Sequence, residues 1–205
     1  TAIAEYFRDQ GLDVMLFLDS VTRFAYAQRE LGLSIGEPPA TRGYTPSVFA
    51  ALPRLMERAG NSATGSITAF YTILVEGDDL DEPVSDAARA ILDGHIVLNR
   101  ELTTRGHYPA VDILQSLSRV MPDVVTAEHY RAAMAVRRLY AAYRNSEDLI
   151  RLGAYERGTN GELDLAVSMV GEIDEFLRQP VDEVAAYDTS VDRLVRGLAA
   201  KAGRA

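Results

Sequence analysis

The stretch from Asp13 to Glu30 reads DVMLFLDSVTRFAYAQRE and decides the fold class. Its continuous apolar run, Val14–Leu18, predicts a strand that is covered on both faces in a parallel sheet. Helical spacing of apolar residues follows over Val21–Leu31. Ligands of such sheets bind beyond the carboxyl ends of the strands, where Asp19 stands. Its carboxylate suits a magnesium ion held through water beside a nucleotide phosphate, although an aspartate at this point more commonly caps the following helix.

The remainder of the first part alternates strand and helix patterns. Further strands are predicted over Ser66–Val75 and His95–Leu98, and further helices over Val48–Ala59 and Val84–Leu92. A run rich in β-branched and aromatic residues favours a strand, and apolar residues three and four positions apart favour a helix. This order predicts an α/β fold with a parallel sheet and helices on both of its faces.

Only helical patterns follow Pro122. The predicted helices cover Ala127–Arg144, Ser146–Leu152, Glu162–Gln179 and Val181–Ala200. We therefore predict two domains, an α/β part over residues 1–123 and an all-helical part over residues 124–205.

Composition restricts the classes of function. The chain has 205 residues, of which 47% are hydrophobic, and a formal net charge of −9. That charge argues against binding to nucleic acid, which needs a basic surface. The absence of cysteine from the sequence excludes disulfides and thiolate metal sites, and no apolar run approaches the roughly 20 residues of a membrane span. The opening residues read as the end of an amphipathic helix, so we expect a fragment.

Two further residues and one loop are candidates for a site. Arg119, among small polar residues, suits a bidentate phosphate clamp or, more commonly, an inter-domain salt bridge. Tyr108 precedes a proline and suits stacking on a purine base or packing under the edge of the sheet. The acidic loop EGDDLDEP lacks the spacing of a calcium loop and suits a solvated loop or a docking site for a basic partner. No GxxxxGK[ST] phosphate-binding motif occurs in the sequence.

A family resemblance covers essentially the whole chain. Its long motifs are AEYFRDQG, RELGLSIGEPPATRGYTPSVF, GSITAFYTILVEGDDLDEPVSDAARAILDGHIVL, RGHYPAVDILQSLSR and SEDLIRLGAY. The chain resembles the second half of the export ATPases of bacterial flagella and type III secretion systems, which are relatives of the rotary ATP synthase head subunits. The resemblance implies a RecA-like ATPase domain that lacks its phosphate-loop half, followed by a helical domain.

The resemblance assigns roles to four residues near a nucleotide. Asp19 matches the Walker B aspartate that holds the magnesium of MgATP through water. Arg119 looks like the arginine finger that reaches the γ-phosphate bound by a neighbouring subunit. Tyr108 looks like the aromatic residue that stacks on adenine, and Arg23 matches an arginine beside the catalytic pocket. ATP and Mg²⁺ are therefore the implied cofactors of the full-length protein.

The resemblance also implies partners and a location. The loop Glu76–Glu82, with Glu76, Asp78, Asp79 and Asp81, is similar to one that faces the central hole of a homo-hexameric ring and touches a coiled-coil stalk. The other implied partners are a regulator, export chaperone–substrate complexes and the export gate at the membrane. The implied location is cytoplasmic and peripheral, at the inner face of the cytoplasmic membrane.

Parts of the family pattern lie upstream of Thr1, namely a β-barrel, the phosphate-binding loop and the catalytic glutamate. We therefore expect this chain to be inactive alone, as part of an ATPase that unfolds export substrates and releases them from chaperones. The motifs leave open whether the system is flagellar or an injectisome. An alternative class of function is a nucleotide-independent module that binds chaperone–substrate complexes or the stalk. A rotary synthase subunit is disfavoured by the export-type loop and tail.

Overall fold

The apolar run after Asp13 forms strand β1 (Asp13–Leu18) in the computed structural model, which describes residues 1–203. Two more strands, β2 (Gly60–Asn61) and β3 (Ser66–Tyr71), complete a sheet of order β1–β3–β2. β1 and β3 are parallel, and Leu18 pairs with Tyr71 at their carboxyl ends. β2 runs antiparallel to β3. The parallel pairing that the sequence predicts is confirmed for β1 and β3.

Helices cover one face of this sheet. Four helices belong to the first part of the chain: α1 (Ala2–Asp9), α2 (Val21–Ser34), α3 (Pro46–Met56) and α4 (Pro83–Ile91). Val21, Val48, Leu52 and Val84 are fully buried where α2, α3 and α4 pack together. Leu18 of β1 and Tyr71 of β3 pack against this cluster.

The other face of the sheet is apolar but exposed among the described residues. Met15 is 63% exposed and Phe17 is 69% exposed. The Phe17 ring stacks on that of Phe70 in β3, with 5.1 Å between the centroids. The prediction that β1 is covered on both faces is therefore wrong for residues 1–203. Its side chains are apolar on both faces, but this part of the chain provides helical cover for one.

The remaining strands form a separate antiparallel pair. β4 (Gly94–Leu98) and β5 (Val111–Ser118) pair with each other, and the short helix α5 (Arg100–Thr104) lies between them in the sequence. The predicted parallel arrangement is wrong for β4. Residues 99–110, which include α5, return the chain beside β4 in the opposite direction, so no crossover over the sheet is made.

The chain then becomes helical, as predicted. The elements are α6 (Met121–Val124), α7 (Ala127–Arg151), α8 (Gly161–Leu177), α9 (Tyr187–Asp192), a π-helical turn (Arg193–Ala199) and α10 (Ala200–Ala202). Their shared core contains Leu139, Met169, Ile173, Leu194 and Leu198. No helix among residues 1–203 is both long enough and apolar enough to cross a membrane.

Two predicted helix boundaries are wrong. The separate helices Ala127–Arg144 and Ser146–Leu152 are the single helix α7. Glu147 forms ion pairs with Arg144 at 2.6 Å and with Arg151 at 2.5 Å across the expected break, and such pairs add a little to the stability of a continuous helix.

The helix predicted to begin at Val181 begins instead at Tyr187. Val181 and Val184 are almost fully exposed, so no buried face stabilises a helix over these residues.

The described residues form two compact units, Thr1–Asp93 and the residues from Gly94 onward. The division at residue 123 into an ATPase part and a helical domain stays a prediction. The last two residues of that predicted helical domain, 204–205, lie outside the described residues.

A buried carboxylate begins α4. Glu82 is 7% exposed, and its Oε2 accepts hydrogen bonds from the backbone N–H groups of Val84 and Ser85, each at 3.1 Å. Negative charge is favourable at this end of a helix. Burial, with a hydrogen bond to Glu82, raises the pKa of the Tyr44 hydroxyl. Glu82 thus has a structural role at the end of the acidic loop.

We expect Glu82→Ala to lower the free energy of unfolding of the purified chain by about 1–2 kcal/mol, because it removes a helix cap. Urea denaturation measures the change. The matched control is Glu76→Ala, at the exposed end of the same loop, which should change the stability by less than about 0.5 kcal/mol. Equal destabilisation by both substitutions would contradict the capping role.

Candidate functional site

Asp19 lies directly beyond the carboxyl end of β1, and its side chain is exposed. Its Oδ1 accepts a hydrogen bond of 2.6 Å from the hydroxyl of Thr72, which directly follows β3. The Asp19–Ser20 peptide bond is cis. The carboxylate is therefore held at the edge of the sheet where the two parallel strands both end.

The turn from β1 into α2 is fixed by backbone hydrogen bonds to the segment after β3. The Val21 N–H donates to the Thr72 carbonyl at 3.0 Å, and the Thr72 N–H donates to the Leu18 carbonyl at 3.1 Å. The Thr22 hydroxyl accepts a hydrogen bond from the Leu74 N–H at 2.8 Å. The segment after Tyr71 thus leaves the sheet to bind the start of α2, which is why β3 ends earlier than the predicted Val75.

Asp19 is not the cap of α2. The N-cap is Ser20, whose hydroxyl accepts a hydrogen bond from the Arg23 N–H at 3.4 Å. The capping interpretation of Asp19 is therefore wrong. Within residues 1–203 the second carboxylate oxygen, Oδ2, forms no hydrogen bond, so it is available to a ligand.

The donor set fits a magnesium ion that keeps most of its water. Mg²⁺ prefers oxygen ligands and is commonly held by one or two carboxylates together with water and substrate phosphates. The described residues contain no group of three or more carboxylate or histidine side chains that could enclose a metal ion. Asp19 would thus supply a single carboxylate.

Arg23 lies in the first turn of α2 and is exposed. Its guanidinium forms no ion pair among the described residues, so it is available to an anion. The structure places Asp19 and Arg23 in the first unit of the chain, and Tyr108 and Arg119 in the second.

Tyr108 is 53% exposed, and its peptide bond to Pro109 is cis. Its carbonyl accepts a hydrogen bond of 2.9 Å from the Gln179 N–H, just after α8. The neighbouring His107 is buried, and burial lowers the pKa of its imidazole. The backbone of Tyr108 is thus anchored while a large part of its ring remains accessible for stacking.

Arg119 directly follows β5 and is exposed. It therefore stands at the end of a strand, as Asp19 does in the first unit. An exposed arginine at a strand end can meet an anion presented by another molecule.

The acidic loop is shaped by left-handed residues and by its own ion pairs. Gly77 and Asp78 have φ values of 64° and 60°. Asp79 pairs with Arg42 at 2.5 Å, and this hydrogen-bonded ion pair lowers the pKa of Asp79. Asp81 pairs with Arg89 at 3.2 Å.

Exposure distinguishes the acidic candidates from one another. Glu76, Asp78 and Asp81 are exposed, whereas Asp79 is partly buried and Glu82 is buried. The side chain of Asp81 is 92% exposed although it pairs with Arg89. Glu76, Asp78 and Asp81 thus lie at the surface of the loop.

The sequence reasoning missed Thr72 and Asp112. Thr72 contacts Asp19 although 53 positions separate them, so no local pattern reveals the pair. Asp112 accepts hydrogen bonds from the backbone N–H groups of Leu114 and Gln115 at 3.0 and 3.1 Å. Burial acts to raise the pKa of Asp112, but hydrogen bonds from Asn99 and Gln115 outweigh it, and the pKa is lowered. An aspartate followed by small and amide side chains at this spacing is a signal for such local bonding.

Known proteins resemble this chain over nearly its whole length. The flagellum-specific ATP synthase of Bacillus subtilis (strain 168) is 56% identical over 95% of this chain and 44% of its own length. The type 3 secretion system ATPase of Xanthomonas euvesicatoria is 52% identical over 95% of this chain and 44% of its own length. The chain thus spans less than half the length of these relatives.

Solved structures agree with these matches. The assembled ATPase EscN from the type III secretion system of enteropathogenic E. coli matches with a TM-score of 0.92 and 49% identity, over 96% of this chain and 48% of that one. EscN in complex with its central stalk EscO matches with a TM-score of 0.85 and 48% identity, over 96% of this chain and 47% of that one.

Two family patterns divide the chain between them. Residues 125–196 match the C-terminal domain of the type III secretion ATPase EscN. Residues 1–118, which include Asp19, Tyr108 and the strand before Arg119, match the nucleotide-binding domain of the ATP synthase alpha/beta family. The chain belongs to the ATP synthase alpha/beta family, in the branch of the flagellar and type III secretion ATPases.

Proposed function

We propose that this chain is the carboxyl-terminal part of one subunit of a hexameric protein-secreting ATPase, which couples ATP hydrolysis to flagellar or type III protein export. The observation that carries the proposal is the placement of Asp19. Its exposed carboxylate is held by Thr72 where two parallel strands end, inside a segment that matches a nucleotide-binding domain. That edge of such a sheet is where ligands bind.

In this proposal Asp19 would hold the magnesium ion of MgATP through a water molecule. When bound, the ion would supply positive charge that offsets the charge of the phosphates. The Thr72 hydroxyl binds Oδ1 of Asp19 and leaves Oδ2 available to that water. Arg23 adds positive charge one helical turn along α2, beside the same edge.

Two residues of the second unit have proposed roles in nucleotide binding and catalysis. The accessible ring of Tyr108 stacks on the adenine base. Arg119 reaches the γ-phosphate bound by a neighbouring subunit and balances the charge that develops as the terminal phosphoryl group is transferred. Both residues are accessible in the described chain, which this role requires.

The exposed sheet face supports the view that further chain belongs to the same domain. Met15, Phe17 and Phe70 form an apolar surface of a kind that soluble proteins normally cover. The relatives that match this chain are more than twice its length. We infer that the phosphate-loop half of the ATPase domain packs on this face and supplies the groups that this sequence lacks.

We also propose the surroundings of the enzyme. The acidic loop faces the hole of the ring and meets a coiled-coil stalk. The solved complex of EscN with its central stalk EscO supports a stalk as the kind of partner. Regulator, export chaperone–substrate complexes and the export gate are the other proposed partners. The proposed location is the cytoplasm, at the inner face of the membrane.

The full-length subunit tests the roles of Arg119 and Tyr108. We expect Arg119→Ala to lower kcat by about 10³- to 10⁵-fold, because the arginine acts on charge that develops in the transition state. Nucleotide affinity should stay within about tenfold, or about 1.4 kcal/mol. Tyr108→Ala should have the opposite effect: it should weaken nucleotide binding by a larger factor than it lowers kcat. Steady-state ATPase kinetics and equilibrium nucleotide titration measure both quantities.

The matched control for Arg119 is Arg138→Ala, since Arg138 is an exposed arginine on α7 that pairs with Glu162. It should leave kcat and nucleotide affinity unchanged. Near-normal turnover of Arg119→Ala would overturn its catalytic role. Absence of any nucleotide binding by the full-length protein would favour the alternative of a nucleotide-independent binding module.

Docking of the acidic loop is tested at two of its exposed residues, Glu76 and Asp78. We expect Glu76→Lys combined with Asp78→Asn to weaken binding to a basic coiled-coil stalk several-fold, and more at 50 mM than at 300 mM salt, because salt screens exposed charges at these roughly 5–15 Å Debye lengths. Asparagine is chosen because it tolerates the left-handed backbone of Asp78. Glu57→Lys, at the end of α3, is the control for reversal of one exposed charge. Binding that is indifferent to the loop variant and to salt would overturn the docking proposal.

A further inference from the structure

Strand β5 is interrupted in the middle. Asp112 pairs with Val97 of β4 and Leu117 pairs with His95, so the residues between Asp112 and Leu117 face a single residue of β4. This bulge removes regular ladder partners from several backbone groups of β5. The residues of the bulge are half-buried or exposed, and the backbone N–H and C=O groups that lack ladder partners bind side chains or water instead.

Asp112 supplies the acceptors of the bulge. Its Oδ1 accepts hydrogen bonds from the backbone N–H groups of Leu114 and Gln115. The Ser116 hydroxyl donates to the Asp112 carbonyl at 2.6 Å and accepts from the Val97 N–H at 2.9 Å. These bonds satisfy the N–H groups of Leu114 and Gln115, and they leave the carbonyl groups of the irregular segment to other donors.

Arg137 of α7 donates to two of these carbonyls, and a third, that of Gln115, lies 2.9 Å from Nε2 of His95. Its Nη1 donates to the Ser116 carbonyl at 3.0 Å, and its Nη2 donates to the Leu114 carbonyl at 3.2 Å. The side chain is half-buried, and the adjacent Val136 is 4% exposed in the helical core. The planar fork of an arginine fits two carbonyls at once, which a lysine cannot reproduce. The helical core thus clamps the backbone of β5.

Arg119 lies three residues beyond the clamped Ser116 carbonyl. The segment between them is the end of β5, which pairs with β4 through Leu117 and Ser118. An extended segment transmits a displacement at its base to its end, because its hydrogen-bonded backbone has little freedom to compensate. A catalytic group that is misplaced by about 1 Å loses up to about a hundredfold in rate.

We infer that Arg137 is a positioning residue for Arg119: through the carbonyls of Leu114 and Ser116 it fixes the end of β5 from which Arg119 acts. This inference rests on the catalytic role proposed for Arg119. Arg137 touches neither nucleotide nor magnesium in this account, and it acts only through the strand.

A double-mutant cycle in the full-length ATPase tests the inference. Arg137→Met keeps the length of the side chain and removes both donors, so kcat should fall about ten- to a hundredfold while KM and nucleotide affinity stay within about threefold. Arg137→Lys keeps the charge and one donor and should fall between the wild type and Arg137→Met. In the Arg119→Ala background, Arg137→Met should lower the residual single-turnover rate by less than about twofold, since the residue that it positions is already absent.

The control is Arg138→Met, which removes the neighbouring exposed arginine and should not change kcat. If Arg137→Met does not form rings, the effect of Arg137→Lys is compared instead in the presence and absence of Arg119. If the Arg137 substitution lowers the turnover rate by the same factor with and without Arg119, the positioning role is overturned. An unchanged kcat in Arg137→Met would overturn it as well. Near-normal turnover of Arg119→Ala alone would instead overturn the proposed function of Arg119, and the positioning role with it.

Discussion

The parallel pairing of β1 with β3 is the constraint on which the candidate site depends. Because Leu18 and Tyr71 are paired at the carboxyl ends of the two strands, the next residues, Asp19 and Thr72, emerge at the same edge and hydrogen-bond to each other. The Val21 N–H then binds the Thr72 carbonyl, which fixes the start of α2. A slip in the register would move Thr72 away from the carboxylate and turn the side chains of one strand to the opposite face of the sheet.

Sequence reasoning succeeds where the determining pattern is local. An apolar run that ends in one carboxylate is enough to place Asp19 at the end of β1, and the switch to helical spacing after Pro122 is enough to predict the helical region. Prediction from the sequence fails where the local structure is determined by contacts between residues that are far apart in the chain. The bulge in β5, for example, is bound by Arg137, which lies more than twenty positions further along the chain.

The acidic loop illustrates why composition alone misjudges a surface. Its sequence suggests one uniformly negative segment, but Glu82 is buried as a helix cap and Asp79 is bound to Arg42. Such ion pairs hold the shape of the loop while they reduce its external field. Only a structure distinguishes the carboxylates of the loop that are buried or partly buried from those that lie at its surface.

The central claim is that one nucleotide site is shared by two copies of the subunit, with Asp19 from one and Arg119 from its neighbour. Mixed rings of full-length Asp19→Asn and Arg119→Ala subunits test it most directly. Each variant alone should be nearly inactive, whereas a random equal mixture should regain roughly a quarter of wild-type turnover, because about that fraction of the head-to-tail interfaces joins an intact Asp19 to an intact Arg119. Mixed rings that contain both variants, yet are no more active than either alone, would contradict the claim.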